Sequence, residues 1–265
     1  MKNNRYKILV LSDMKETTES IIKSGISLAK MIDGEVHFFY VKKPTEIVEK
    51  ESQLSAMRTI NKSFVSISKN IQNLIGPISK DYDIEISCNH AFGNVKSEIN
   101  DCIKSVKPDI VVLGQRKSSA LSFLGDNITD FVIKNHNGAI MIVAQQHGLE
   151  PYEELSLGVL NDQSNNINIE FADRLFKHTQ KPLKSFRTYQ VSNDDKEKEV
   201  KTTKNIVELV FDRGDNSIKS LSNYLTKSDV NLLCLDRRSG SKFSSKTEMK
   251  NTISTLNVSL LISEG

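Results

Sequence analysis

The chain has 265 residues, 38% hydrophobic and 26% charged, the make-up of a globular protein with a real core and a length that favours two domains of ordinary size. With no Trp, 12 Gly and 5 Pro, collagen-like and Pro/Gly-rich low-complexity readings fail. The net charge is only +3, with 19 basic and 16 acidic side chains in residues 1–149 and 17 of each thereafter, so the concentrated basic face of a duplex-DNA binder is not expected.

The first half alternates strand and helix signals. Lys7 to Leu11 is a short apolar run, as in a strand buried on both faces of a parallel sheet. After Ser12-Asp13, apolar residues recur at helical spacing (Ile21, Ile22, Ile26, Leu28, Ala29, Ile32), with Gly34 where a C-terminal cap is expected. A strand from Val36 to Val41 is stopped by Lys42-Lys43-Pro44. Residues 46–75 read as a long helix or helix pair, broken by Gly76-Pro77. Ile84 to Ala91 alternates as a strand, Gly93-Asn94 opens a helix, and Pro108 leads into a strand from Ile110 to Leu113. A polar loop follows, then a helix around Ile128 to Lys134 and a strand from Ala139 to Val143. The order predicts a doubly wound parallel sheet.

The second half repeats this order. Leu155 to Leu160 followed by Asn161-Asp162 echoes Ile8 to Leu11 followed by Ser12-Asp13. A helix through Ile169, Ala172 and Phe176 and a strand from Phe186 to Val191 follow. The charge-rich stretch from Ser192 to Lys204 reads as a solvated loop. Ile206 to Phe211 is a strand and Asn216 to Lys227 a helix. VNLLCLDRR then matches DIVVLGQRK, with Asp236 standing where Gly114 stands, and Val258 to Ile262 matches Ala139 to Val143. The expected organisation is a tandem duplication, residues 1–148 and 152–265.

The longest apolar runs fall well short of the ~20 residues of a membrane span, and the N-terminal residues lack the apolar core of a signal peptide. Cys88, Cys102 and Cys234 are odd in number and far apart, which fits reduced thiols in the cytoplasm. A cytoplasmic location, with neither membrane nor nucleic acid as partner, is the expectation.

Phosphate-loop, dinucleotide-turn, HExxH and GxSxG motifs are missing from the sequence. The five histidines show no metal spacing with the cysteines; His90, near a strand end, fits a partly buried structural residue better than a ligand contact. In an open parallel sheet, ligands bind beyond the carboxyl ends of the strands. That rule selects Asp13, Val41 and the segment Gly114 to Ser119. Asp13 fits either a helix N-cap or an acceptor for a ribose or base edge. Gly114 permits close backbone approach, Arg116 and Lys117 supply donors and charge suited to phosphate, and Gly125 is placed to open an anion-binding helix N-terminus. A polar connection with solvated charges fits the same residues.

On KILVLSD, the helix ending at Gly34, EVHFFYV and PDIVVLG…LGDNITDFVIKNHNGAIMIV, residues 5–145 resemble the universal stress protein family. The resemblance implies that Asp13 and the backbone at Val41 hold an adenosine and that a glycine-rich stretch G-x2-G-x9-G-[ST] from Gly114 holds ATP phosphates. The stretch departs from that pattern: Lys117 replaces the second glycine, Gly125 comes two residues early, and Asp126 replaces Ser or Thr. A carboxylate at the phosphate position opposes a triphosphate. In the second half Asp236 replaces the first glycine, and Asp162 alone remains of the adenosine-side residues.

The resemblance also implies that the last strands of the two halves pair, as an intramolecular pseudo-dimer, and it allows a homodimer. The expectation is two tandem five-stranded parallel α/β units, the second degenerate. The chain would be a non-enzymatic stress-response binding module with at most a weakened ATP or AMP pocket at Asp13, Val41, Gly114, Arg116, Lys117 and Gly125. Two alternatives stand beside it. One is a weak ATP-hydrolysing or nucleotide-transferring enzyme; the other is an interaction protein whose Arg116, Lys117, Arg237 and Arg238 form a basic face for acidic partners.

Overall fold

A computed structural model of the chain describes residues 5–43, 53–115, 128–160, 169–189, 206–212, 217–237 and 246–264. In the first half β1 (Tyr6–Ser12), α1 (Thr18–Ile32), β2 (Gly34–Lys42), α2 (Gln53–Asp81), β3 (Ile86–Phe92), α3 (Val95–Val106), β4 (Ile110–Gly114), α4 (Ile128–Asn135) and β5 (Ala139–Val143) follow one another. The second half supplies β6 (Leu157–Leu160), α5 (Ala172–Phe176), β7 (Leu183–Tyr189), β8 (Ile206–Asp212), α6 (Ser217–Lys227), β9 (Leu232–Leu235), α7 (Lys246–Thr255) and β10 (Ser259–Ile262).

The ten strands among the described residues form one sheet in the order β3-β2-β1-β4-β5-β10-β9-β6-β7-β8. Each half alone has the same order and is parallel throughout. Register fixes the equivalences: Leu113 lies beside both Leu11 and Ile142, and Leu235 lies beside both Leu160 and Ile262. Gly114 therefore corresponds to Asp236, and Gln115 to Arg237. The halves meet where β5 and β10 pair antiparallel, with Met141 opposite Leu261, Ile140 opposite Ile262 and Ile142 opposite Leu260. This reciprocal pattern is that of a two-fold axis through Met141 and Leu261. The seam covers what would otherwise be two apolar edge strands.

Alternation along the strands sends side chains to two faces. Ile8 and Val10 join Ile22, Ile26 and Ile71 on the α1/α2 face; Leu9 and Leu11 join Ile99 and Val132 on the α3/α4 face. The strand residues Ile8 to Val10 and Ala139 to Val143 are almost wholly buried. A fully buried aliphatic side chain contributes about 1.5–3 kcal/mol, so continuous apolar runs dictate strands covered on both sides.

Several expectations need correction. Asp13 does not cap α1: the N-cap is Thr17, and Asp13 instead accepts the Lys15 N–H in a tight turn at the end of β1. The left-handed residue closing α1 is Asp33, at φ 58°. Gly34 is already in β2, where a Cβ would meet Ile8 Cδ1 at 2.9 Å and the Tyr6 carbonyl at 3.1 Å. Gly76-Pro77 does not break α2, which runs on to Asp81. A proline inside a helix costs about 3 kcal/mol. Continuing the helix buries Ile78 alongside Ile71 and Ile75, and lets the Ile84 N–H reach the Ser79 carbonyl. The stretch Ser192 to Lys204 lies outside the described residues. Among those described, no helix is long and apolar enough to cross a membrane.

Candidate functional site

The carboxyl ends of β1, β2 and β4 and the first turn of α1 enclose a cleft of about 1250 Å³. It opens beside the β1–β4 pair, where the chain changes the direction in which it adds strands, the place an open α/β sheet offers a ligand. Asp13, Val41 and Gly114 all line it. Arg116, Lys117 and Gly125 lie outside the described residues, as does Asp126.

The turn from β1 into α1 is held by side chains. Ser12 Oγ accepts the Met14 N–H at 3.2 Å and Asp13 Oδ1 accepts the Lys15 N–H at 3.3 Å. Met14 sits at φ 59°, a left-handed conformation that costs a non-glycine residue roughly 1–2 kcal/mol. Asp13 also pairs with Lys15 Nζ at 3.5 Å, its side chain 31% exposed at the cleft wall. At the end of β2, the Gly93 N–H takes the Lys42 carbonyl on the β3 side. Peptide groups alternate sides along a strand, so those of Val41 face the other way, toward β1, whose pairing with β2 ends at Ser12.

Gly114 is close-packed for a different reason from the one its position suggested. A Cβ there would meet Ile21 Cδ1 at 2.6 Å and Thr17 Oγ1 at 3.8 Å. The missing side chain lets α1 sit down on β4.

The floor of the cleft is apolar, with Leu11, Ile21, Phe39, Val95, Ile99 and Leu113. Its rim carries Lys15, Lys42 and Lys43 against Asp13 and Glu16, a net positive mouth over an apolar base. That combination suits a flat ring joined to an anionic group. By sequence Lys42-Lys43 reads only as a strand stop; a dibasic pair directly after a strand's carboxyl end is the available signal.

Gln115 also lines the cleft and is held on every side. Its N–H donates to the Val143 carbonyl at 2.8 Å, and its carbonyl accepts from Gln145 Nε2 at 3.3 Å. Its side-chain amide crosses the seam to the carbonyls of Ile253 and Leu256 at the end of α7. Arg237, its counterpart, donates to the carbonyls of His136 at 2.8 Å and Gly138 at 3.4 Å, just past the end of α4. Arg237 is thus committed to the seam, and the basic face expected to include it is corrected accordingly; Arg238 lies outside the described residues. Asp236, the equivalent of Gly114, accepts the Ser263 hydroxyl at 3.0 Å.

His90 is not a cleft residue. It stacks on Phe64 of α2, ring centroids 4.1 Å apart, and burial pushes its pKa down. His37 links Ser87 Oγ (2.5 Å) to Glu35 Oε1 (3.1 Å) at the amino end of β2, a relay that ties edge strand β3 to its neighbour and lines no part of the cleft. Among the described residues no group of His, Cys, Asp and Glu is arranged to hold a metal ion.

The model of the universal stress protein family matches residues 5–158, which takes in every described element of the cleft. No curated protein matches the chain in sequence. Among solved structures, a universal stress protein from Archaeoglobus fulgidus DSM 4304 is similar at a TM-score of 0.69 and 12% identity, over 98% of each chain. A functionally unknown protein from Pseudomonas aeruginosa PAO1 is similar at a TM-score of 0.55 and 10% identity, over 98% of this chain and 92% of that one. Identities this low speak to the fold alone.

Proposed function

The chain belongs to the universal stress protein family, and from that premise we propose that it is a non-enzymatic, cytoplasmic stress-response module that binds an adenine nucleotide weakly in its first half. The observation that carries this reading is the convergence of Asp13, Val41 and Gly114 on one cleft with a lysine-bearing rim. In it the adenine ring lies on the apolar floor, the backbone at Val41 meets the base edge, and the Asp13 carboxylate accepts from ribose hydroxyls. Lys42 and Lys43 meet negative charge.

The division of labour between halves, residues 1–148 and 152–265, belongs to the same proposal. The second half carries Asp236 and Arg237 where the first carries Gly114 and Gln115, and both side chains are spent on internal hydrogen bonds. A carboxylate at that point repels phosphate, so the second half serves as a structural and interaction partner. Binding by the first half is weak because Lys117 and Asp126 replace a glycine and a hydroxyl residue in the phosphate stretch. A hydrolytic reading needs a general base beside a positioned nucleophile or water; of the two carboxylates lining the described cleft, Asp13 and Glu16, Asp13 is held by Lys15 and the turn.

The test is the ligand content of the purified chain, read by 260 nm absorbance and mass spectrometry of what denaturation releases, followed by calorimetry on Lys117→Gly. Traces of AMP or ATP in the wild type, with a several-fold gain in affinity for Lys117→Gly, are expected. Steady ADP release abolished by Asp13→Ala would favour the enzyme reading instead.

A further inference from the structure

We propose that Gln115 is a positioning residue through which the second half of the chain tunes ligand binding in the first. The proposal rests on the reading of the cleft as a nucleotide site and extends it to the regulation of that site.

Two independent observations support it. The first is local. Gln115 lines the cleft, and the peptide joining it to Gly114 forms part of the wall at the end of β4. Its side chain is fixed by the second half: the Ile253 and Leu256 carbonyls that accept from it belong to the last turn of α7 and the residue after it. The last carbonyls of a helix have no partner within the helix, so this amide satisfies α7 while α7 fixes Gln115. The second observation is the pseudo-symmetric contact. Arg237 meets His136 as Gln115 meets Leu256, and both acceptors lie three residues before the last strand of their half begins. The same device on both sides of the axis marks the strand-end-to-helix-end contact as the way each half senses the other.

A ligand that presses on or bonds to Gln115 changes how well α7 is capped. By linkage, whatever loosens α7 changes the affinity of the cleft by the same factor. The coupling is carried by a direct contact chain: cleft, Gln115, α7 end, and the short turn into β10. Leu256 is wholly buried there, its N–H bonded to the Thr252 carbonyl at 3.0 Å, so displacement at this point is transmitted rather than absorbed.

The experiment uses the full chain as wild type, Gln115→Leu, Asn251→Gly and the double variant. Asn251 is exposed on α7 and does not itself line the cleft, and glycine there loosens the helix. Hydrogen exchange is read without nucleotide at residues 110–115 and 252–258, and again after titration with ATP followed by calorimetry. Asn251→Gly should speed exchange at the end of β4 at least threefold, and that response should vanish in the double variant. Bound ATP should slow exchange in the last turn of α7 in the wild type, and Gln115→Leu should bind ATP several-fold more weakly with no α7 response. If Asn251→Gly loosens α7 and leaves the end of β4 unchanged, or if ATP binds and α7 does not respond, the proposal is overturned. Absence of any ATP heat would refute the nucleotide reading alone, and the Asn251→Gly comparison would still decide the coupling.

Discussion

The Gln115 side chain donates to the Leu256 carbonyl at 2.7 Å, and its pseudo-symmetric counterpart Arg237 donates to the His136 carbonyl at 2.8 Å. Each half thus completes a helix end of the other. A third contact of the same kind runs from Arg174 of α5 to the Ile32 carbonyl at the end of α1. Positive charge is favourable at a helix C-terminus, which explains why two of the three donors are arginines. The two halves are joined by an apolar strand pair in the middle and by helix caps on either side of it.

Removing one cap should be costly. In Arg237→Leu the His136 and Gly138 carbonyls lose a charged donor in a mostly buried setting. Hydrogen bonds from charged groups contribute about 1.5–3 kcal/mol, so the urea midpoint should fall by a corresponding amount with the slope unchanged. A change below roughly 0.5 kcal/mol, the usual scatter for surface substitutions, would mean that the guanidinium is not part of the seam.

Gly114 is required by α1 before it is required by any ligand. Gly114→Ala places a Cβ 2.6 Å from Ile21 Cδ1, an overpacking that costs about 1–3 kcal/mol. Ile21→Val removes that methyl group, so the double variant should recover most of the loss in thermal melting. If Gly114→Ala alone melts like the wild type, the close packing has been misjudged.

Acid should weaken the seam through His136, which is 5% exposed. Burial first, and then the Arg237 charge, push its pKa below the ordinary histidine value of 6.5. The folded state therefore favours the neutral ring, and the unfolded chain takes up a proton first as pH falls. Stability is full above about pH 6.5 and declines below it, until the folded-state ring also protonates. Unfolding midpoints between pH 7.5 and pH 5 should slope downward in the wild type and less steeply in His136→Leu. An identical slope in both would show that His136 does not contribute.

Cutting the chain should expose what the seam covers. Residues 1–148 alone would carry β5 as a bare apolar edge, Ile140 to Ile142, in place of its pairing with β10. That fragment should form a dimer through two copies of β5, and light scattering after gel filtration should return twice the monomer mass. Met141→Lys at the axis should return it to monomer. A stable wild-type monomer would show that the bare β5 edge does not need a partner, against this account of the seam.

Much of the fold was legible because its central strands are short apolar runs between turn signals, and because the order of elements occurs twice. Ala139 to Val143 was placed residue for residue. What escaped notice depends on contacts distant in sequence. Helix α7 has few apolar positions, and Ile253 and Leu256 make sense only once packed under β9 and β10. Pro77 reads as a break because the burial of Ile78 that carries α2 past it is a tertiary fact. The cleft was legible in part: strand-end rules brought out Asp13, Val41 and Gly114, yet the ties of Gln115 and Arg237 reach more than 100 residues along the chain. No local pattern encodes such a tie.

The central claim is that the cleft at Asp13 binds an adenine nucleotide. Calorimetric titration of ATP into wild type and Asp13→Ala at matched ionic strength tests it most directly. A saturable wild-type heat, weakened about tenfold in Asp13→Ala, corresponds to the loss of roughly 1.4 kcal/mol and is the predicted result. Absence of wild-type heat at millimolar ATP, or equal binding by the two proteins, would contradict the account.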